Sequence, residues 1–149
     1  MQIWLSASPF FIMSTAQELG IDCSPRGDKP GQAFRVLDSE HIAIPDRRGN
    51  NRLDTMKNLL DDPRIGLVFL VPGSEEALRI KGQASISVNQ QLLESFRLHD
   101  ELPATIILVE IVRVQVQNAR AIRQAGLWTE DAQTRHESLP DATSLMKSR

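Results

Sequence analysis

The chain has 149 residues, of which 41% are hydrophobic and 24% are charged, and its formal net charge is -2. This length and composition are typical of one folded domain and exclude a disordered chain. The small negative charge argues against a general nucleic-acid binder, which would carry a basic excess. Cys23 is the single cysteine, so an intramolecular disulfide and a zinc site with two thiolates are excluded.

The start of the chain predicts an antiparallel hairpin. Residues 10–16 are apolar and β-prone, and a polar turn separates them from a short strand at residues 20–23. We expect residues 1–9 to be an irregular approach to the first strand, since Pro9 interrupts them and no basic residue precedes their apolar run. No window has the roughly 18 apolar residues that a membrane span needs. We therefore expect a cytoplasmic protein that does not bind a membrane.

A second hairpin and a helix follow the Pro- and Gly-rich loop at residues 24–31. Strands at 33–38 and 41–46 are separated by only two residues. The period then changes, because apolar residues from Leu53 to Leu60 fall at helical spacing and Pro63 ends the pattern. Asn50 or Asn51 is the predicted N-cap of this helix.

The second half of the chain predicts three more strands. Residues 64–71 form an almost continuous apolar run, and residues 77–87 alternate after a short hairpin loop. Asn89 is a predicted cap for a short helix, and a long strand follows at 104–117. Six or seven strands with two short inserted helices predict a mainly β fold, a closed or half-closed antiparallel barrel. We expect one domain over residues 1–149, with a core at about 7–117 and a tail at 118–149.

Arg26 stands out because it lies between Pro25 and Gly27 in a predicted loop. A stiff loop can hold the planar guanidinium group against an anion, and glycine lets the backbone approach closely. The alternative is an ordinary solvated arginine in a turn whose shape the prolines and glycines determine.

A second arginine cluster, at residues 47–52, lies where a predicted strand leads into a predicted helix. Arg47, Arg48 and Arg52 surround a Gly-Asn-Asn sequence, and a helix N-terminus favours an anion. The alternative is a capped helix with solvated arginines, with Asp46 or Asp54 balancing the charge. The three histidines are scattered in the sequence, so we predict no metal site.

Three segments together resemble one known family. They are "SPFFIMSTAQELGIDCSPRGDKPGQAFRVLD", "HIAIPDRRGNNRLDTMKNLLDDPRIGLVFLVPG" and "EALRIKGQASIS". In order and without large gaps, they are similar to the FMN-binding split barrels of the pyridoxamine 5'-phosphate oxidase-like family, in the branch with an SPRGD element and a GNNR helix start. The resemblance covers roughly residues 7–117. It implies an antiparallel FMN-binding split barrel that forms a homodimer, with flavin sites built from both subunits.

The resemblance also implies which residues bind the flavin. Arg26 would point into the site, and Asn51 and Arg52 would hold the FMN phosphate with help from Lys57. Near the phosphate or the ring, the resemblance implies a further set: Ser24, Pro45, Asp46, Arg47 and Lys81. Trp128 either packs near the partner's flavin or anchors the tail.

The function that this resemblance implies is flavin-dependent oxidation or reduction of an unidentified small molecule, with no catalytic side chain assigned. A flavin-binding or flavin-storing module without turnover is an alternative, as is a relative that has lost FMN. A third alternative is a haem-handling protein on the same barrel. That protein would need an axial ligand, for which His136 is the histidine in the tail.

Overall fold

Seven antiparallel strands form a single sheet in the part of the chain that the structure describes. The computed structural model describes residues 1–47, 53–118, 120–134, 137, 139 and 140. The strands are β1 (Phe10–Gln17), β2 (Gly20–Gly27), β3 (Arg35–Val36), β4 (His41–Asp46), β5 (Arg64–Leu70), β6 (Glu76–Ser87) and β7 (Thr105–Asn118). The helices are α1 (Gln2–Ser6), α2 (Leu53–Asp61), α3 (Gln90–Ser95), α4 (Arg120–Ala125) and α5 (Glu130–Thr134).

The sheet is rolled into a partly closed barrel. Its strand order is β2-β1-β5-β6-β7-β4-β3, so β2 and β4 stand first and sixth. Five strand spacings of about 4.8 Å would separate β2 and β4 by about 24 Å in a flat sheet. Nevertheless, Gly27 of β2 and Pro45 of β4 line one small cleft. The sheet must therefore curl to bring them together, which confirms the predicted antiparallel barrel.

The core lies inside the curl, where alternate residues of each strand point inward. On β1, Phe11 and Met13 are buried whereas Phe10 and Ile12 are partly exposed. The Phe11 ring contacts the rings of Phe34 and Phe69, with centroid distances of 5.5 and 5.2 Å. Burying each of these side chains contributes roughly 1.5 to 3 kcal/mol, so the aromatic cluster is a main source of stability.

Gly82 allows β6 and β7 to pack closely at a β-bulge. The register shifts between Lys81 and Gly82. A Cβ atom at Gly82 would lie 2.5 Å from the Glu110 carbonyl oxygen and 2.7 Å from Cγ1 of Val109. Because neither atom is at the end of a long flexible side chain, only glycine fits here.

Most predicted strands are confirmed, but the expected loop at residues 24–31 is wrong at its start. Strand β2 continues through Pro25 and Arg26 to Gly27, paired with β1 along its whole length. Proline is tolerated because β2 is an edge strand, whose outer side needs no N–H donor. Arg26 is therefore a strand residue and not a turn residue.

Three smaller expectations also need correction. Residues 2–6 form helix α1 instead of an irregular approach to the first strand. The helix is held by Leu5, which is fully buried in the main core. The strand predicted at 33–38 is only Arg35–Val36, since Phe34 turns into the core. Besides the two helices predicted between strands, α2 and α3, the described chain has helices α1, α4 and α5 at its ends; α3 begins as predicted, with the Asn89 side chain accepting from the Leu92 N–H.

Candidate functional site

Arg26 lies on the core-facing side of the edge strand β2 and reaches helix α2. It pairs directly with the buried Phe11, so its side chain leaves the same face of the sheet. Its Nη2 donates a hydrogen bond to Thr55 Oγ1 at 3.2 Å, and Thr55 is only 2% exposed. Thr55 is in the first turn of α2, so the arginine links the SPRGD element to the start of the helix that follows GNNR. Nothing in the sequence marks Thr55 as a site residue, apart from its position in the predicted helix.

Arg47 lies directly after β4 and faces the same cleft. Its Nη2 donates to the Phe96 carbonyl oxygen at 2.9 Å. Its Nε is buried and, among the described residues, has no hydrogen-bond partner. A buried donor of this kind costs free energy unless a ligand or water accepts from it. The guanidinium group of Arg47 is therefore held in place while one of its donors remains available.

The two arginines line a narrow cleft between the edge strand β2 and strand β4 of the rolled sheet. The cleft has a volume of about 40 Å³, and its other lining residues include Gly27, Asp28, Gln32 and Pro45, so its lining carries two positive side chains and one negative one. This is room for about three water molecules. A Cβ atom at Gly27 would lie 3.2 Å from the Pro9 carbonyl oxygen, so glycine relieves crowding at this edge.

Among the other predicted phosphate residues that the structure describes, Pro45 alone lines this cleft. Pro45 is buried in the cleft wall, and the backbone carbonyl of Asp46 accepts from the Ala104 N–H at 3.0 Å. Ser24 is half-buried on β2, and Lys57 is exposed on α2. Asn51 and Arg52, like the predicted cap of this helix, lie outside the described residues.

A larger cavity lies on the other side of Arg47. It has a volume of about 510 Å³ and is lined by Leu98, His99, Glu101, Leu102 and Ala104 as well as Arg47. Arg47 is therefore the residue that the cleft and this cavity share. This cavity could not be predicted from the sequence, because the residues that line it do not form a recognisable sequence motif.

A strained turn forms one wall of the larger cavity. His99 and Asp100 have φ values of 48° and 63°, in the left-handed region that favours glycine. The flanking residues Leu98 and Glu101 exchange two backbone hydrogen bonds, of 3.0 and 2.9 Å. This is the two-residue hairpin turn that usually contains Asn-Gly. Two non-glycine residues in it store strain of roughly 1 to 3 kcal/mol each, a feature that clusters at functional sites.

Lys81 and Trp128 are not brought to this cleft in their own chain. Lys81 is exposed on β6 and lines a third cavity, which shares no lining residue with the cleft at Arg26. The Trp128 indole donates to the Ser74 carbonyl oxygen at 2.8 Å, in the β5–β6 loop. An ion pair of 3.5 Å between Arg123 and Glu75 joins the same two segments. Trp128 thus anchors the tail in its own chain, and its contact with a partner's flavin stays a prediction.

Neither a metal site nor a membrane helix is found in the part of the chain that is described. Among those residues, no group of three or more His, Cys, Asp or Glu side chains is placed to hold a metal ion. None of the described helices has the length and apolarity that crossing a membrane requires.

Comparison with known proteins identifies the family. The sequence model of the family described as pyridoxamine 5'-phosphate oxidase matches residues 1–123. No curated protein matches the chain in sequence. Solved structures match the fold: HupZ of Group A Streptococcus is 14% identical, with a TM-score of 0.65, and covers 80% of this chain and 92% of its own.

Two further structures share the fold at similar identity. The General Stress Protein 26 of Bacillus anthracis is 14% identical with a TM-score of 0.59, and the match covers 75% of this chain and 86% of that one. An FAD-binding protein of Mycobacterium smegmatis is 12% identical with a TM-score of 0.54, and the match covers 78% and 89%. At these identities, the likeness is evidence for the fold alone.

Proposed function

The chain belongs to the pyridoxamine 5'-phosphate oxidase family, and from this premise we propose that it binds FMN and oxidises or reduces a small molecule. The observation that carries the proposal is the meeting of Arg26 and Arg47 at one cleft, with the buried Nε of Arg47 lacking a partner within the described residues. The flavin-binding neighbour of the same fold supports a flavin as the ligand.

We assign the FMN phosphate to the cleft and to the helix start beside it. A phosphomonoester carries a charge of about -1.5 to -2 at pH 7, and the planar fork of arginine matches its oxygens. Arg26 and Arg47 approach from β2 and β4, and the sequence adds Asn51, Arg52 and Lys57. Ser24, Pro45 and Asp46 would border the phosphate or the edge of the ring.

When bound, FMN would supply the electron-transfer chemistry. The protein's own residues would bind, orient and shield it. Arg26 is held by Thr55, so its positive charge stays at a fixed place and would stabilise negative charge on the ring or the phosphate. No described side chain is assigned a proton-transfer step.

The cavity beside Arg47 is our proposed substrate pocket. Its 510 Å³ lie within the range of small-molecule pockets, and it adjoins the phosphate cleft through a shared arginine. Leu98 and Leu102 offer an apolar wall, and His99 and Glu101 add polar groups. The strained turn would keep these side chains in position before a substrate arrives.

We further propose a homodimer with flavin sites at the interface. On the outer face of the sheet, Phe10 and Ile12 of β1 are each 36% exposed and lie beside Leu70 and Val68 of β5. A second copy packed on this face would cover them. Lys81 and Trp128 would then contact flavin only from the partner's side. The single Cys23, exposed and free, fits our expectation of a reducing, cytoplasmic location.

The experiment is an FMN titration of apo protein, followed by absorbance spectroscopy. Retained bands near about 370 and 450 nm are the ordinary flavin signature. We expect Arg52→Ala to weaken FMN binding far more than Arg35→Ala, because Arg35 is exposed on β3, with its guanidinium carbon 4.3 Å from the centroid of the Phe96 ring. Equal effects would contradict the phosphate assignment.

Two alternatives have their own readouts. A flavin-storing module would bind FMN but would show no substrate-dependent change in the flavin spectrum. A protein that has lost FMN would stay colourless after incubation and gel filtration. The haem alternative rests on His136, which lies outside the described residues, and a Soret band would reveal it.

A further inference from the structure

Asp28 is the third charged residue in the lining of the cleft at Arg26 and Arg47, and the proposed function gives it no role. It follows directly after β2, and its backbone N–H donates to the Pro9 carbonyl oxygen at 3.1 Å. Its Oδ1 accepts from the Lys29 N–H at 2.8 Å. The cleft is therefore lined by an aspartate that local hydrogen bonds hold in place, in addition to two arginines.

The carboxylate of Asp28 is not neutralised by the described part of its own chain. Among those residues it makes no ion pair, and the hydrogen bond from the Lys29 N–H uses only one of its two oxygens. An ionised carboxylate can accept hydrogen bonds but cannot donate them. Asp28 therefore repels an anion in the cleft unless the ligand brings a hydrogen-bond donor to it.

The cleft thus makes two different demands on a ligand. Arg26 and Arg47 carry positive charge and donors, which match the oxygens of a phosphate group. Asp28 needs a donor, and the side-chain amide of Gln32 in the same loop has an oxygen that can also accept. A phosphate ester with a hydroxyl group beside its phosphate meets both demands. An ester without a hydroxyl leaves the acceptors unpaired, which costs binding free energy.

We infer that Asp28 determines the specificity of this cleft and restricts it to phosphate monoesters of a polyol. The inference rests on the proposed function, which assigns a phosphate group to the cleft. FMN has the required chemistry, because its phosphate ends a chain of carbon atoms that carry hydroxyl groups. The arginines would attract the phosphate, and Asp28 would accept from a hydroxyl group of the chain. A simple alkyl phosphate would satisfy the arginines alone.

The test compares sn-glycerol 3-phosphate with n-propyl phosphate. The two compounds have the same carbon chain length and the same phosphate group, and they differ in the hydroxyl groups. Each is titrated into the full chain without flavin, and phosphorus NMR reports binding at the phosphate itself. We expect glycerol phosphate to bind about tenfold more tightly, the effect of one hydrogen bond to a charged group.

Asp28→Asn tests the residue. Asparagine keeps an oxygen for the Lys29 N–H, but its amide nitrogen replaces Oδ2 and donates where the carboxylate accepts. Because Asp28 is exposed and solvent screens its charge, propyl phosphate should bind only about threefold more tightly to the variant, and glycerol phosphate no more tightly. The affinity ratio should therefore fall to about threefold or less. Asp22→Asn is the matched control, since Asp22 is on β2 but outside the cleft lining, and it should leave the ratio unchanged.

Four results would overturn the inference. They are equal binding of the two compounds by the wild type, binding of neither, a ratio that Asp28→Asn leaves unchanged, and an equal fall of the ratio in Asp22→Asn. Retention of FMN, measured separately, distinguishes this inference from the proposed function. A chain that retains no flavin but selects glycerol phosphate through Asp28 would support the inference and contradict the flavin proposal. Retained flavin with equal binding of the two compounds would do the reverse.

Discussion

The cleft at Arg26 and the cavity at Lys81 both have more positive than negative side chains in their linings, but they are built in opposite ways. In the cleft, both arginines are half-buried, and each is fixed by a hydrogen bond, Arg26 to Thr55 and Arg47 to the Phe96 carbonyl. In the cavity at Lys81, called the outer cavity below, Lys81 extends from an exposed strand face on which Ser14 and Gly66 lie side by side. The cleft holds about 40 Å³ and the cavity about 620 Å³.

This difference shows what burial does to a cationic site. A half-buried guanidinium group in a narrow cleft is partly desolvated, so its electrostatic attraction to an anion is stronger than it would be in water. An exposed lysine is screened by salt and solvent, so it contributes less to the affinity for an anion than a desolvated arginine does. The cleft is thus better suited than the cavity to hold an anion tightly. Each prediction below tests one side of this comparison.

The largest expected effect is at Gly82, whose backbone separates the inner core from the outer cavity. Gly82→Ala would place Cβ 2.5 Å from the Glu110 carbonyl oxygen, so β6 and β7 would have to move apart. We expect a loss of about 3 kcal/mol in the free energy of unfolding. Urea denaturation would measure it, with Gly66→Ala as the matched control, since the nearest atom to its Cβ is at 3.8 Å. Equal stability of the two variants would contradict the role of Gly82.

The next effect is at Arg47. Arg47→Met keeps much of the side-chain volume but removes the donors, including the buried Nε. We expect FMN affinity to fall on the order of 10- to 100-fold, the value of one charge-assisted hydrogen bond. Fluorescence titration with FMN would measure this loss.

Lys81→Met is the comparison variant for Arg47→Met. We expect its loss of FMN affinity to be at least ten times smaller than the loss in Arg47→Met, because Lys81 lines a separate cavity in its own chain. A larger loss for Lys81→Met than for Arg47→Met would move the main contacts of the flavin to the outer face.

A smaller effect is expected at the strained turn that lines the cavity at His99. Asp100→Gly should relieve the left-handed strain at φ 63° and raise the free energy of unfolding by about 0.5 to 1 kcal/mol. Thermal unfolding would measure the gain. Asp28→Gly is the control, because Asp28 is a loop aspartate that does not have a positive φ. If Asp100→Gly is not more stable than the wild type, the turn is not a strained feature and loses its value as a mark of a substrate pocket.

Sequence periodicity predicted the sheet well because most strands have one buried face. The alternating run at 77–87 and the apolar run at 64–71 match β6 and β5 within two residues, and Asn89 caps its helix as expected. The pattern at residues 24–27 failed for a physical reason. Proline, glycine and a charge usually mark a turn, but an edge strand accepts all three, because one side of it needs no hydrogen-bond partner.

The site was predictable only in part. The two arginine clusters carry local signals, and the structure brings Arg26, Pro45 and Arg47 to one cleft. Their meeting depends on the curl of seven strands, which no local pattern encodes. The cavity at His99 has no sequence signal, since the turn uses His-Asp where Asn-Gly is usual. The outer cavity depends on Ser14 and Gly66 lying side by side, a matter of strand register.

The smallest effect concerns Arg64 at the rim of the outer cavity. Hydrogen bonds from the Arg64 side chain lower the pKa of Asp62 from 3.8 to about 2. A carboxyl whose pKa is lower in the folded state stabilises the fold above its unfolded pKa, and that contribution is lost as the pH falls through about 2. Asp62→Asn should therefore lower the melting temperature slightly at pH 5 and by clearly less at pH 2, where the carboxyl is about half protonated in the folded state. Because the pair is at the surface, the difference should shrink in 1 M salt. A difference as large at pH 2 as at pH 5 would mean that Asp62 stabilises the fold through its backbone turn and not through its charge.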